Sequence, residues 1–336
     1  MKSWGWSVVA LTLSTLPLAS AQQSGTVSRT PDGQPDLQGA WLSNRATPLE
    51  RPKALEGRPS LTDEEVAELK IRGARLLGDG DNDFAAGDAF FLAAWENVQR
   101  YKSANSTGSV LEMIEREFDH RTSLVVDPSD GRIPPMTPEG RHLQTAAGTA
   151  ALAVHPTDPE ALSNSLRCLT FGVPRVGGNF GAGIYSYNQI LQAPGYVVLL
   201  MEVIHEARII PLDGRPHLPP SVRLWNGDSR GRWEGNTLVV DTTNFSSKSL
   251  FMGSAENLHL TERLTRQGPD AIDYEVTFDD PTTWTRSWTA LLHLKRTDER
   301  LYEYACHEGN RYVIEGVLRG ARADEQAAEH AAKRPK

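Results

Sequence analysis

Tyr196-Val-Val-Leu-Leu-Met-Glu-Val-Ile-His-Glu-Ala-Arg-Ile-Ile210 is the most β-prone run of the chain. A Gly/Pro-rich turn follows it, Pro211-Leu-Asp-Gly-Arg-Pro-His-Leu-Pro-Pro220. Next come Gly231-Arg-Trp-Glu-Gly-Asn-Thr-Leu-Val-Val-Asp-Thr-Thr-Asn-Phe245 and Leu258-His-Leu-Thr-Glu-Arg-Leu-Thr-Arg266. Short runs of aliphatic and β-branched residues, each closed by Gly, Pro, Asn or Asp, are the pattern of antiparallel strands joined by turns.

Side chains on a strand alternate between faces. Read as one strand, residues 196–210 place His205 on the face of Val197, Leu199 and Met201, with Arg208 on the opposite one. In 258–266, Leu258, Leu260 and Leu264 share a face with Glu262, while His259 points the other way. Ile272, Tyr274, Val276 and Phe278 alternate with Asp273, Glu275, Thr277 and Asp279, and 284–296 and 301–308 continue the pattern. Roughly eight strands with short connections favour antiparallel order, and about eight leave an interior just wide enough for side chains or one small ligand when the sheet closes. A mainly β fold is expected, either an antiparallel calycin-like barrel or a strongly curved sheet, with N-terminal helices packed beside it; a β-sandwich is the alternative.

Before that stretch the signals are mixed. Lys2, an apolar stretch over 7–18 and Ala19-Ser-Ala21 read as a signal peptide over 1–21, leaving 315 residues (336 minus 21). An extended arm is expected over 22–60, a helical and irregular segment over 61–170, the β domain over 171–320 and a flexible tail over 321–336. Gly39-Ala-Trp41 has the Gly-x-Trp form that opens lipocalin-like barrels, where the Trp plugs one end. Thr62-Asp-Glu-Glu65 is a capping box at the head of a helix reaching about Leu77. A second helix is expected over 85–102 and a third from Pro138 into the Ala-rich residues 146–153. The five glycines between Gly172 and Gly183 suggest a mobile loop at a pocket mouth.

Composition excludes some partners. At 39% hydrophobic and 23% charged, with net charge −8, the chain is ordinary globular material without the clustered basic charge that nucleic acid requires. No segment after the signal peptide is long and apolar enough to enter a membrane. Cys168 and Cys306 are first a candidate disulfide in an exported protein, with a reactive thiol in Cys306-His-Glu308 as the rival.

Several long motifs carry a resemblance. These are Thr30-Pro-Asp-Gly-Gln-Pro-Asp-Leu-Gln-Gly-Ala-Trp41, Arg121-Thr-Ser-Leu-Val-Val-Asp-Pro128, Ala207-Arg-Ile-Ile-Pro-Leu-Asp-Gly-Arg-Pro-His217, Gly227 through Phe245, and Tyr304-Ala-Cys-His-Glu-Gly-Asn310. They resemble a widespread family of exported bacterial proteins over nearly all of the mature chain. Asn236 stands where that family commonly has Asp. The resemblance implies export to the periplasm or beyond and a single folded unit, and it carries no general mechanism.

No serine-nucleophile elbow, zinc-binding His-Glu-x-x-His helix, P-loop or dinucleotide fingerprint is present, so no cofactor and no metal are expected. What remains is His205, His259 and Glu262 as proton-transfer candidates and Arg208 as an electrostatic one. Tyr185, Tyr187, Trp225 and His120 are candidates for the walls of a pocket that takes a hydrophobic or aromatic small molecule. The leading functional expectation is a cofactor-independent lyase, isomerase or cyclase. The alternative is a lipocalin-like binding protein without chemistry.

Overall fold

The computed structural model describes residues 28–78, 88–99, 116–151, 156, 158–173 and 187–333. The expected signal peptide, the acidic turn after Gly78 and most of the Gly-rich loop fall outside the described residues. One sheet dominates. Its ten strands are β1 (Gly39–Leu42), β2 (Val125–Asp127), β3 (Tyr187–Ala193), β4 (Tyr196–Met201), β5 (Ala207–Pro211), β6 (Asp228–Glu234), β7 (Thr237–Thr243), β8 (His259–Arg266), β9 (Ala271–Asp279) and β10 (Trp288–Thr297). They run β5-β4-β3-β1-β10-β9-β8-β7-β6, with β2 as a side branch on β10. Every pairing of named strands is antiparallel.

The expected barrel is not closed by hydrogen bonds, because β5 and β6 are the two ends of the ladder. They nevertheless meet through side chains. A Cβ on Gly231 of β6 would stand 2.6 Å from Leu212 Cδ2 and 2.9 Å from Ile210 Cγ2, so only glycine lets the two ends approach this closely. The sheet is therefore curled with its inner face enclosed, and apolar residues of that face, such as Ile190, Val197, Leu238, Leu260, Val276 and Leu292, form the main core.

One end of the interior is filled by aromatic packing. Trp288 stacks on Phe278 at 4.0 Å and meets Trp284 edge-on at 5.6 Å. Trp41 is fully buried, donates from Nε1 to the Leu37 carbonyl at 2.9 Å, and carries the Arg266 guanidinium 4.9 Å above its ring. Arg266 in turn donates to the carbonyls of Asp36, Gly268 and Pro269, so the cation is spent on backbone oxygens and on the ring face.

The chain departs from the sequence expectation in four places. Residues 196–210 are a hairpin and not one strand: the chain turns at Glu202–Glu206, with Ile204 at φ 54°, and β4 pairs antiparallel with β5. A β-branched residue at positive φ is unusual, and no Gly, Pro or Asn marks the turn in the sequence. The arm expected over 22–60 supplies β1, which fills the gap between β3 and β10. Residues 301–308 form no strand, and the following helix, Asn310–Ala332, begins inside the region assigned to the β domain.

The helices are α1 (Asp63–Gly78), α2 (Asp88–Trp95), α3 (Pro138–Ala151) and α4 (Asn310–Ala332). The capping box of α1 forms as read, with Glu65 N donating to Thr62 Oγ1 at 3.2 Å and Thr62 N to Glu65 Oε2 at 2.9 Å. α1 and α2 bury Val66, Leu69, Phe90 and Phe91 with Leu55 and Phe118 in a second, smaller core. That layer is fastened to β10 by β2, by Arg121 donating to the Leu291 carbonyl at 2.7 Å, and by the Lys295–Glu117 ion pair at 2.9 Å. Cys168 and Cys306 are joined in a disulfide that anchors the segment leading into α4. Among the described residues no helix is long and apolar enough to cross a membrane.

Candidate functional site

A carboxylate on an otherwise aliphatic strand face is costly unless it meets a cation. Glu262 has no exposed surface, and Arg208 comes to it from the far end of the sheet. The guanidinium is bidentate: Nη1 donates to Oε1 at 2.9 Å and Nη2 to Oε2 at 2.6 Å. Nη2 also reaches Ser229 Oγ at 3.0 Å and Thr242 Oγ1 at 3.2 Å, and those two hydroxyls are 2.9 Å apart. The Tyr274 hydroxyl donates to Glu262 Oε1. The five strands β5 to β9 thus each give one side chain to a single buried polar network. Strand alternation explains the convergence, since Glu262 is level with Val240 and Val276, and Tyr274 with Leu264, on the inner face.

The electrostatics of this network are one-sided. Burial alone would push the Glu262 carboxyl up, but the charge and hydrogen bonds of Arg208, with Tyr274 and Thr242, bring it below its ordinary value. Burial and the adjacent Glu262 charge drive the Tyr274 phenol well above its ordinary value. Burial would lower Arg208, and Glu262 more than offsets it. The resting state is a neutral sum, an ionised pair with a protonated phenol on it.

Beside the network lies a cavity of about 30 Å³, walled by Ile190, Leu199, Met201, Leu264 and Leu294, with Arg208 and Tyr274 on its polar side. Val173 and Asn188 also line it, and these two residues flank the Gly-rich segment. Arg208 is 8% exposed. Its Nε is buried and has no acceptor among the described residues.

A second polar cluster occupies the outer face of β6, β7 and β8. Asp241 accepts from two imidazoles, His259 Nε2 at 2.6 Å on one oxygen and His217 Nε2 at 2.7 Å on the other. The second nitrogen of His217 is 3.0 Å from Asp228, which also pairs with Arg230. The hydrogen bond to Asp241 raises His259 above the ordinary histidine value despite burial, and the same bond lowers Asp241. Among the described residues no group of three or more His, Cys, Asp or Glu side chains is placed to hold a metal ion.

This pair has a pH signature. His259 binds its proton more tightly folded than unfolded, so its contribution to stability is complete below about pH 6.5 and fades as pH rises through the raised folded value. Asp241 contributes fully above about pH 3.9 and loses that contribution as pH falls through its lowered value. Asp241→Asn is expected to lower the His259 titration midpoint, read from the imidazole carbon protons by NMR. It should also lower stability evenly between about pH 4 and 6.5, where both contributions are complete, and flatten the slopes outside that window. An unchanged midpoint would mean that Asp241 does not set the His259 charge.

Among the described residues, those singled out from sequence separate into five places. Arg208 and Glu262 meet in the interior, while His259 stands on the opposite face, as period two requires. His205 ends a 3-10 turn, Val203–His205, and its side chain lies outside the described residues. Tyr185 is also outside them. Tyr187 opens β3 and donates its hydroxyl to Glu299 at 2.5 Å, and burial together with that carboxylate raises its pKa. Trp225 is half-buried in the connection before β6, where its carbonyl accepts from Ser249 at 2.5 Å. His120 pairs with Asp63 of α1 at 2.7 Å, exposed on the helical layer. Of these pocket-wall candidates, the three described lie outside the cavity lining.

Sequence reasoning overlooked Tyr274, Ser229 and Thr242 inside and His217, Asp228 and Asp241 outside. The face shared by Glu262 with Leu258, Leu260 and Leu264 was the available signal for the inner set. His217 sits in the Pro-rich turn before β6 and carried no periodicity to place it. Compared with protein-family models and with curated proteins, the chain matches none.

Proposed function

We propose that this is an exported small-molecule-binding protein of lipocalin-like, calycin-type design, taking an apolar ligand against the inner face of its curled sheet. One observation carries the reading: Arg208, the one charged residue lining the cavity among the described residues, is already neutralised by the Glu262 it holds, and the phenol on them keeps its proton. A general base must exchange a proton near working pH. Glu262 and Tyr274 are shifted away from that range in opposite directions, so the interior is suited to holding a ligand more than to converting it. The disulfide fits an oxidising compartment, and the resemblance to exported bacterial proteins supports the same destination.

The test is retention. Purified protein is incubated with a small-molecule extract and separated by ultrafiltration, and bound compounds are identified by mass. Retained compounds of unchanged mass in the wild type, lost when Leu264→Trp fills the cavity, are expected. A compound whose mass or chromatographic retention time changes during incubation overturns this reading.

The second reading, a cofactor-independent lyase or isomerase working on an apolar or aromatic small molecule, is favoured by the outer face. Asp241 orients His259 there as a carboxylate orients a catalytic imidazole, and His259 keeps substantial exposure. In the same assay, product formation abolished by His259→Ala would establish it.

A further inference from the structure

We infer that the interior site is selective for a neutral ligand whose small apolar end carries a carbonyl oxygen, a ketone or ester rather than a carboxylic acid, and that the Arg208 Nε–H is the donor that receives it. This rests on the binding reading above and goes on to name the ligand class.

The argument is a count of donors and charges. Arg208 offers five N–H groups, and its two terminal nitrogens are committed to Glu262, Ser229 and Thr242. The Nε–H is left over, buried, without an acceptor among the described residues, on a side chain that lines the cavity. A buried donor without a partner costs roughly 1–3 kcal/mol, so an oxygen placed there is favoured by the removal of that cost.

Charge decides which oxygen. The Arg208 cation is balanced by Glu262, and a second carboxylate, Glu206, also acts on it. An anionic ligand would therefore enter as an uncompensated charge at a site already neutral or slightly negative, among Ile190, Leu199, Met201, Leu264 and Leu294. A hydroxyl would bring a donor of its own into this wall, where Tyr274 gives its proton to Glu262 and Arg208 already acts on its oxygen. A ketone or ester carbonyl accepts and donates nothing, which leaves no polar group unpaired.

Size limits the buried part. An apolar protein cavity of about 150 Å³ takes benzene. On the same scale the roughly 30 Å³ here suits one or two heavy atoms, the carbonyl group itself, with the remainder of the ligand outside it.

Acetone and acetate have the same heavy-atom skeleton and differ in charge, and xenon reports apolar space alone. Each is titrated into the full-length protein while NMR follows the methyl signals of Leu264, Leu294 and Met201 and the Arg208 Nε–H resonance. Acetone is expected to shift both sets and to bind at least tenfold more tightly than acetate. In Arg208→Met/Glu262→Met that preference should vanish. If xenon enters but acetone is no better than acetate, or leaves the Nε–H resonance unmoved, the carbonyl assignment is overturned and the apolar binding site stands. If none of the three probes perturbs the methyl signals, the binding reading fails and this inference with it.

Discussion

Glu262→Ala is expected to destabilise the fold by about 3–5 kcal/mol, because it strands the Arg208 cation in the interior without its counter-charge. The loss goes beyond one ion pair: Tyr274 keeps a buried hydroxyl with no acceptor, and Thr242 and Ser229 lose the geometry that ties β7 to β6. Chemical denaturation at pH 7 reads the effect directly. The control is Arg208→Met/Glu262→Met, which removes both charges together and should recover most of the loss, leaving mainly the cost of the Tyr274 hydroxyl without its acceptor. A single substitution costing less than 1 kcal/mol would show that water reaches Arg208, and with it the claim of a sealed polar network would be withdrawn.

Removing the disulfide ranks beside it. Cys168 and Cys306 are 138 residues apart, and a covalent loop of that length contributes about 4–5 kcal/mol in the chain-entropy account. Cys168→Ala/Cys306→Ala should lower stability on that scale, and its second signature is local. The only side chains α4 buries are Leu318 and Ala321, and among its remaining ties to the 158–170 segment are Asn310 donations to the Leu166 carbonyl at 2.8 Å and to Cys168 itself. Hydrogen exchange should therefore lose protection across α4 while β6 to β10 keep theirs. Equal loss in both regions would mean that the bridge supports the sheet and not the helix.

The strands from β6 to β10 were legible because they are consecutive and alternate cleanly, so period two alone sorted their faces. The burial pattern of β9 repeats the alternation Ile272, Tyr274, Val276, Phe278 without exception. The hairpin between β4 and β5 was not legible. Its turn uses Glu202, Val203 and Ile204, residues that elsewhere prolong strands, and tertiary pairing overrode their local preference. That error placed Arg208 on a strand it does not share with Tyr196, and hid the fact that β5 is an end strand. β1 was hinted at only by Gly39-Ala-Trp41: four residues amid a proline-spaced arm give too short a pattern to place, and only the register against Asn188 and Arg296 sets the strand between β3 and β10. For the candidate site, the sequence showed that Glu262 needed a partner on its apolar face. It could not name Arg208, because β5 and β8 stand six places apart in the ladder and meet only when the sheet curls.

The placement of β1 bears on the order in which the molecule assembles. β6 to β10 are nearest-neighbour hairpins, and β3 to β5 are another such set, so each group closes over short loops. The two groups are stitched together by a four-residue ribbon from near the start of the chain, whose far neighbour, β10, begins close to 250 residues later. Until the last strand has emerged, that ribbon has only β3 to pair with, its other edge is uncovered, and the two meanders remain separate. A chain built this way stays open through most of its synthesis and locks late, which is compatible with threading through a translocation channel before folding.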